Sequence, residues 1–169
     1  MYHHQIGKMD TFKTVSTGRL KTGQNYHGPL QKQWLINGDK KMKRIQRKRS
    51  RGWKSPPKTK FCGRINGHNL YSNPYRIVEI GRDKYVLENT LSKQRGETIH
   101  SSKELAAKKA VQMFAWWINL KYPNEEAMKG FLAPLREYDF LSCWCREDAK
   151  HCHVDYLISL IKSYWPEVK

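Results

Sequence analysis

Positive charge is so concentrated in the first third of this chain that a hydrophobic core has to be built mainly from the other two-thirds. Residues 1–60 carry 16 Lys and Arg against 2 acidic residues, whereas residues 61–169 carry 16 against 13. The formal net charge of +17 over 169 residues therefore divides into +14 and +3. Self-repulsion opposes compaction of the first part and leaves the second free to fold. We expect a basic, partly irregular N-terminal arm over 1–59 and a compact domain over 60–169. A core of roughly 100–150 residues buries about two-thirds of its unfolded surface, so it needs no disulfide or metal to fold. The 20 aromatic residues exclude a wholly disordered chain.

The charge also selects partners. A basic segment of this kind binds polyanions in a salt-dependent way, so nucleic acid is the expected partner. No run reaches the roughly 18 apolar residues of a membrane span, and a membrane partner is not expected. The first ten residues, MYHHQIGKMD, contain no apolar signal core. Four cysteines without such a signal read as free thiols or metal ligands rather than a disulfide frame. The expectation is a cytoplasmic protein.

Residues 1–40 lack sustained periodicity and read as extended or weakly ordered. Nine of the fifteen residues 40–54 are basic, and the block ends at Ser55-Pro56-Pro57, which favours extended chain. It fits a solvated arm or a phosphate-contacting arm. In the second case Lys43, Arg44, Arg47, Lys48, Arg49, Arg51, Trp53 and Lys54 are the candidate contacts to DNA or RNA. Trp53 either stacks on a base or packs back onto the domain.

The domain reads as strands separated by helices, which is the pattern of an α/β layer fold: a small sheet with about three helices packed on it. Phe61–Ile65 is a short strand, Gly67–Ser72 a loop, and Tyr75–Ile80 and Lys84–Glu88 a hairpin about Gly81-Arg82-Asp83. Ser101 and Glu104 form a capping box. The helix it opens presents Leu105, Val111, Phe114 and Ile118 on one face, with Trp116 and Trp117 widening it. A second helix runs from Glu125 to Arg136, kinked or ended early by Pro134. Phe140–Cys145 is a strand, and His153 opens the last helix, which buries Val154, Leu157, Ile158 and Ile161.

Cys143 and Cys145 are two apart on that strand, so both thiols face one side and Trp144 the other. A short charged loop returns the chain to His151-Cys152-His153 at a helix N-terminus. A strand end followed by a helix start is a favoured ligand crevice, and the free amides there attract anions and favour thiolates. Three chemistries fit. Cys143, Cys145, Cys152 and His153 (or His151) supply enough donors for zinc, although Cys-x-Cys-x6-Cys-His departs from the common spacing. Cys145 or Cys152 is a reactive thiolate with His153 as base, the catalytic reading. In the third, the cysteines are buried as small apolar residues and His153 caps the helix.

Other residues could complete a site. Arg64 can pair with phosphate or carboxylate. Asn73 before Pro74 sits in a rigid turn that aims its amide. Asp155 complements the helix dipole. The chain contains no P-loop, GxGxxG, HExxH or Gly-x-Ser-x-Gly motif.

Taken in order, Arg44 to Pro57, Gly63-Arg64, Asn73-Pro74-Tyr75, Leu141-Ser142-Cys143-Trp144-Cys145 and Cys152-His153-Val154-Asp155-Tyr156-Leu157 resemble domain of unknown function 4326. This is an uncharacterised family of bacterial and bacteriophage proteins. The resemblance spans about Lys43 to Ile161. It implies that Arg64, Asn73, Cys143, Cys145, Cys152, His153 and Asp155 belong together, and it places the basic block inside the family pattern. It implies no reaction, and a host cell cytoplasm if the chain is phage-encoded. The family pattern has glycine where this chain has Ser72 and Val154, and an aliphatic residue at Cys62. The loop from Glu88 to Thr98 is longer than in compact members. The leading expectation is a crevice for a phosphorylated or nucleotide-like ligand beside a nucleic-acid-binding arm. The alternatives are a cysteine/histidine enzyme acting on a nucleotide or small anion, and a zinc-stabilised interaction protein.

Overall fold

A computed structural model describes residues 41–65 and 69–168, all within one compact unit. The expected irregular structure of residues 1–40 lies outside the described residues, as does part of the loop 67–72. The architecture is α/β. Three short strands, β1 (Lys43–Gln46), β2 (Thr59–Phe61) and β5 (Phe140–Cys143), form a parallel sheet in the order β1-β5-β2. A separate antiparallel hairpin joins β3 (Tyr75–Gly81) to β4 (Lys84–Asn89). Three helices, α1 (Lys103–Lys121), α2 (Glu125–Leu132) and α3 (His153–Tyr164), complete the fold. None is long and apolar enough to cross a membrane.

The central strand explains the placement of everything else. Leu141, Ser142 and Cys143 of β5 are buried, as expected of a strand paired on both sides and covered by helix. Parallel partners require long connections. The link from β2 to β5 carries the hairpin, α1, α2 and a 3-10 turn over Ala133–Glu137 with Pro134 at its start. The link from β1 to β2 is the basic block itself. The compact sheet therefore reaches back to Lys43, and residues 43–46 are not part of a detached arm. An edge strand tolerates their charge because only one side is paired. Met42, just before it, is buried in the main core.

Local signals explain the helix ends. Ser102, not Ser101, caps α1, its Oγ accepting from the Leu105 amide at 3.2 Å. The apolar stripe is correspondingly rotated: Ala106, Ala110, Phe114 and Ile118 are buried, while Leu105 is 50% and Trp116 60% exposed. Small residues at 106 and 110 let the helix approach the hairpin through Tyr75 and Leu87, and Phe114 and Ile118 enter the main core. Asn124 caps α2 through the Ala127 amide at 2.9 Å. The predicted strand 61–65 is shorter and earlier, ending at Phe61. Beyond it the Phe61 ring fills the space beside Gly63, leaving a Cβ there only 2.5 Å from its Cζ.

The hairpin carries its own electrostatic tie. Glu88 accepts from Arg76 at 2.6 Å and Arg95 at 3.2 Å, and its side chain is 9% exposed. The hydrogen bond from Arg95, aided by the charge of Arg76, holds its carboxyl below the usual 4.5. A depressed carboxylate pKa stabilises the fold above the unfolded value and loses that contribution as pH falls through the folded one. Glu88→Gln is expected to lower the urea midpoint at neutral pH and to narrow the gap from wild type well below 4.5. An equal deficit at both pH values would contradict the assignment.

Candidate functional site

The carboxyl ends of β1, β5 and β2 lie together, and the residues just past them build one cleft. β5 ends at Cys143 rather than Cys145, because the Cys145 amide turns to donate to the Cys143 sulfur at 3.3 Å and leaves the ladder. Cys152 occupies the N-cap position of α3 without a side-chain capping bond, and its sulfur lies 3.2 Å from that of Cys143. All four cysteines are free, and the sulfurs of Cys143, Cys145 and Cys152 lie within 4.8 Å of one another. These three side chains could hold a metal ion. Cys143 and Cys152 are buried and Cys145 is partly exposed.

His153 stands beside this cluster but outside it. Its Nε2 is 2.9 Å from the Cys62 carbonyl oxygen, and its ring meets Phe114 edge-on. A carbonyl only accepts, so Nε2 carries a proton toward it. The backbone of Cys62 thus supports the site. Its thiol is a buried apolar group, pushed up to about 12 by burial.

Thiol protonation is divided within the cluster. Hydrogen bonds from Cys143 and Cys152 favour the charged form of Cys145 and hold its pKa well below the ordinary thiol value, against the cost of burial. The same hydrogen bonds, with burial, drive the Cys143 thiol the other way.

Arg44 is the residue that sequence reasoning misplaces. Its position in the basic block groups it with the nucleic-acid contacts, but its side chain is only 11% exposed. Its guanidinium donates to the carbonyls of Arg146 at 2.9 Å, Glu147 at 2.7 Å and Ala149 at 3.1 Å, and pairs with Asp155 at 2.9 Å. One fork therefore fixes the loop that carries the chain from Cys145 to Cys152. Burial opposes its charge, but Cys152 and Asp155 outweigh that and raise its pKa. Desolvation lifts Asp155 more than Arg44 lowers it. The available signal is Met42: side chains two apart on a strand share a face, so Arg44 shares the inward face of Met42.

The other expected residues converge. Arg64 donates to the carbonyls of Asn73 at 2.6 Å and Tyr75 at 3.4 Å. Asn73 ties the site to α1 through the Ala110 carbonyl at 3.1 Å and receives the Tyr75 amide at 2.8 Å. Both line a cleft of about 770 Å³ together with Cys143, Cys145, Cys152 and His153. Lys150 and Glu104 pair at its rim at 3.0 Å. Arg64 makes no ion pair among the described residues. Burial chiefly lowers its pKa, with Arg76 adding to this and Cys145 opposing it. Ser72 and Val154, where the resemblance leads one to expect glycine, have no positive φ, and Val154 is fully buried in the core.

The remaining basic residues divide by depth. Lys43, Lys48, Arg49, Arg51 and Lys54 are exposed, and Trp53 is half-buried. Arg47 lies over the rings of Phe61 and Trp144, at 4.6 and 5.2 Å, and Arg49 over Trp144 at 4.7 Å. Trp144 in turn donates to the Arg64 carbonyl at 3.3 Å.

Arg44→Ala is expected to cost about 2–4 kcal/mol in chemical denaturation, because a buried charge, its partner and three carbonyls lose their bonds together. Arg44→Lys should recover little, since one ammonium cannot reproduce the fork. A loss within about 0.5 kcal/mol, as for a solvated surface charge, would contradict the clamp.

A model of the Domain of unknown function (DUF4326) family matches residues 45–163, from β1 to the end of α3. No curated protein and no solved structure matches the chain. The match begins one residue after Arg44, takes in the Cys/His cluster and spans most of the chain, which therefore belongs to the DUF4326 family.

Proposed function

We propose that the cleft binds a phosphorylated or nucleotide-like ligand, and that the basic segment at its edge contacts nucleic acid. The observation that carries this reading is Arg64, a half-buried arginine without a carboxylate partner among the described residues, lining the cleft at the carboxyl end of a parallel sheet. A guanidinium so placed is suited to a bidentate contact with phosphate. The N-terminus of α3 contributes a field of the same sign. The volume of about 770 Å³ is within the range of small-molecule sites.

Topology supports a role for the arm. β1 runs toward the cleft end of the sheet, so Arg47 and Arg49 emerge there and cap Trp144, a cleft-lining residue. Exposed Lys48, Arg51 and Lys54 continue the basic surface. Such a surface binds backbone phosphates without reading sequence. A cytoplasmic location fits, since free thiols persist there.

The enzyme reading, with Cys145 or Cys152 as nucleophile and His153 as base, has weaker support. Cys152 and His153 are both buried, and the His153 Nε2 proton is directed at the Cys62 carbonyl. That bond suits an orienting role for the ring as well as a catalytic one.

The test is a thermal-shift titration with nucleoside mono-, di- and triphosphates, paired with filter binding of DNA and RNA across a salt series. Wild type should be stabilised by at least one nucleotide class, and Arg64→Ala should weaken that affinity about tenfold or more, the scale of a lost charged hydrogen bond. Equal shifts in wild type and His153→Ala would remove His153 from the site. No shift with any nucleotide would overturn the cleft assignment, and nucleic-acid affinity that ignores salt would overturn the arm.

A further inference from the structure

We propose that Cys143, Cys145 and Cys152 hold one zinc ion and leave its fourth coordination position open to the cleft. The inference rests on the cleft reading and deepens it by naming the group that a bound ligand would meet. Three sulfurs on one tetrahedral zinc, with Zn–S of about 2.3 Å, stand roughly 3.8 Å apart. Here the three lie within 4.8 Å of one another, with the sulfurs of Cys143 and Cys152 at 3.2 Å. Small side-chain rotations bring them onto a common ion.

The donors come from supported backbone. Cys143 closes the central strand, Cys152 occupies the N-cap position of α3, and Arg44 fixes the loop between Cys145 and Cys152. Such support is what separates a ligand set from cysteines that merely meet.

The set is short by one. Among the described residues the cluster contains these three donors and no fourth His, Cys, Asp or Glu. Neither ring nitrogen of His153 joins the three sulfurs within 4.8 Å, and Asp155 is paired with Arg44. Structural zinc sites close with four protein ligands, whereas sites that receive water or substrate keep three and an open position. All three cysteines line the cleft, so that position faces the space where a ligand would lie. It would be taken by water, or by an oxygen or nitrogen of a phosphorylated or nucleotide-like ligand.

Charge supports the count. Three thiolates on zinc leave one negative charge. Asp155 balances Arg44, while Arg64 has no acidic partner among the described residues and lines the same cleft.

The experiment uses the full chain, loaded with zinc and then exchanged with cobalt. Elemental analysis should find about one ion per chain, lost in Cys145→Ser, whose partly exposed side chain makes the variant the safest to fold. The cobalt protein should show sulfur-to-metal charge transfer and intense tetrahedral bands, and added azide should shift them by entering the open position. Substoichiometric metal after loading would overturn the proposal. So would a tetrahedral spectrum that ignores azide and collapses in His153→Ala or His151→Ala, the mark of a closed four-ligand site. Nucleotide thermal shifts on the same preparations separate the two readings. Binding without metal overturns only the metal site. Metal with an azide response but no nucleotide binding supports the metal site and overturns the ligand class.

Discussion

A short strand hydrogen-bonded on both sides cannot be moved without breaking two ladders at once, and β5 is such a strand. Lys43 to Gln46 pair along one edge and Thr59 to Phe61 along the other, both parallel. The requirement that parallel strands be joined by long connections then determines the rest. The hairpin and two helices occupy one connection, and the basic block occupies the other. Because all three strands point the same way, the residues after each arrive at one end: Arg47, Cys62 to Arg64, and Trp144-Cys145. The return of the chain at Cys152 closes the cluster. The site is therefore a consequence of strand direction rather than of any contiguous motif.

Arg44 connects this topology to the chemistry. Its strand lies on one edge of β5, its guanidinium crosses to the loop after β5, and Asp155 receives it on α3. Three elements distant in sequence are held by one planar group with several donors, a role that lysine fills poorly. A charge buried in this way contributes less to net stability than to fixing one arrangement, because its desolvation offsets much of the attraction.

Much of the domain is legible in the sequence. The hairpin follows from alternation about Gly81-Arg82-Asp83, and α2 and α3 from their apolar spacing. Pro134 does end the regular helix, leaving a 3-10 turn. Other features depend on contacts that periodicity does not register. Leu105 looks like a core residue, yet the α1 face is set by the small side chains of Ala106 and Ala110 against the hairpin. β1 looks like part of a charged arm because alternation is hard to see in four residues dominated by charge. Of the candidate site, Arg64, Asn73 and the three cysteines are identified by residue type and order, and the structure gathers them in one cleft. His153 is identified too, but its bond to the Cys62 carbonyl is not foreseeable, since it joins residues 91 apart in sequence.

The central claim is that this cleft is a ligand site in which Arg64 receives an anionic group. Its most direct measurement is a crystal structure of the full chain grown with a nucleoside diphosphate. Phosphate density is expected within hydrogen-bond distance of the Arg64 guanidinium, with the remainder of the nucleotide along the cleft toward Cys145. A nucleotide bound elsewhere, with Arg64 still held only by the Asn73 and Tyr75 carbonyls, would contradict it.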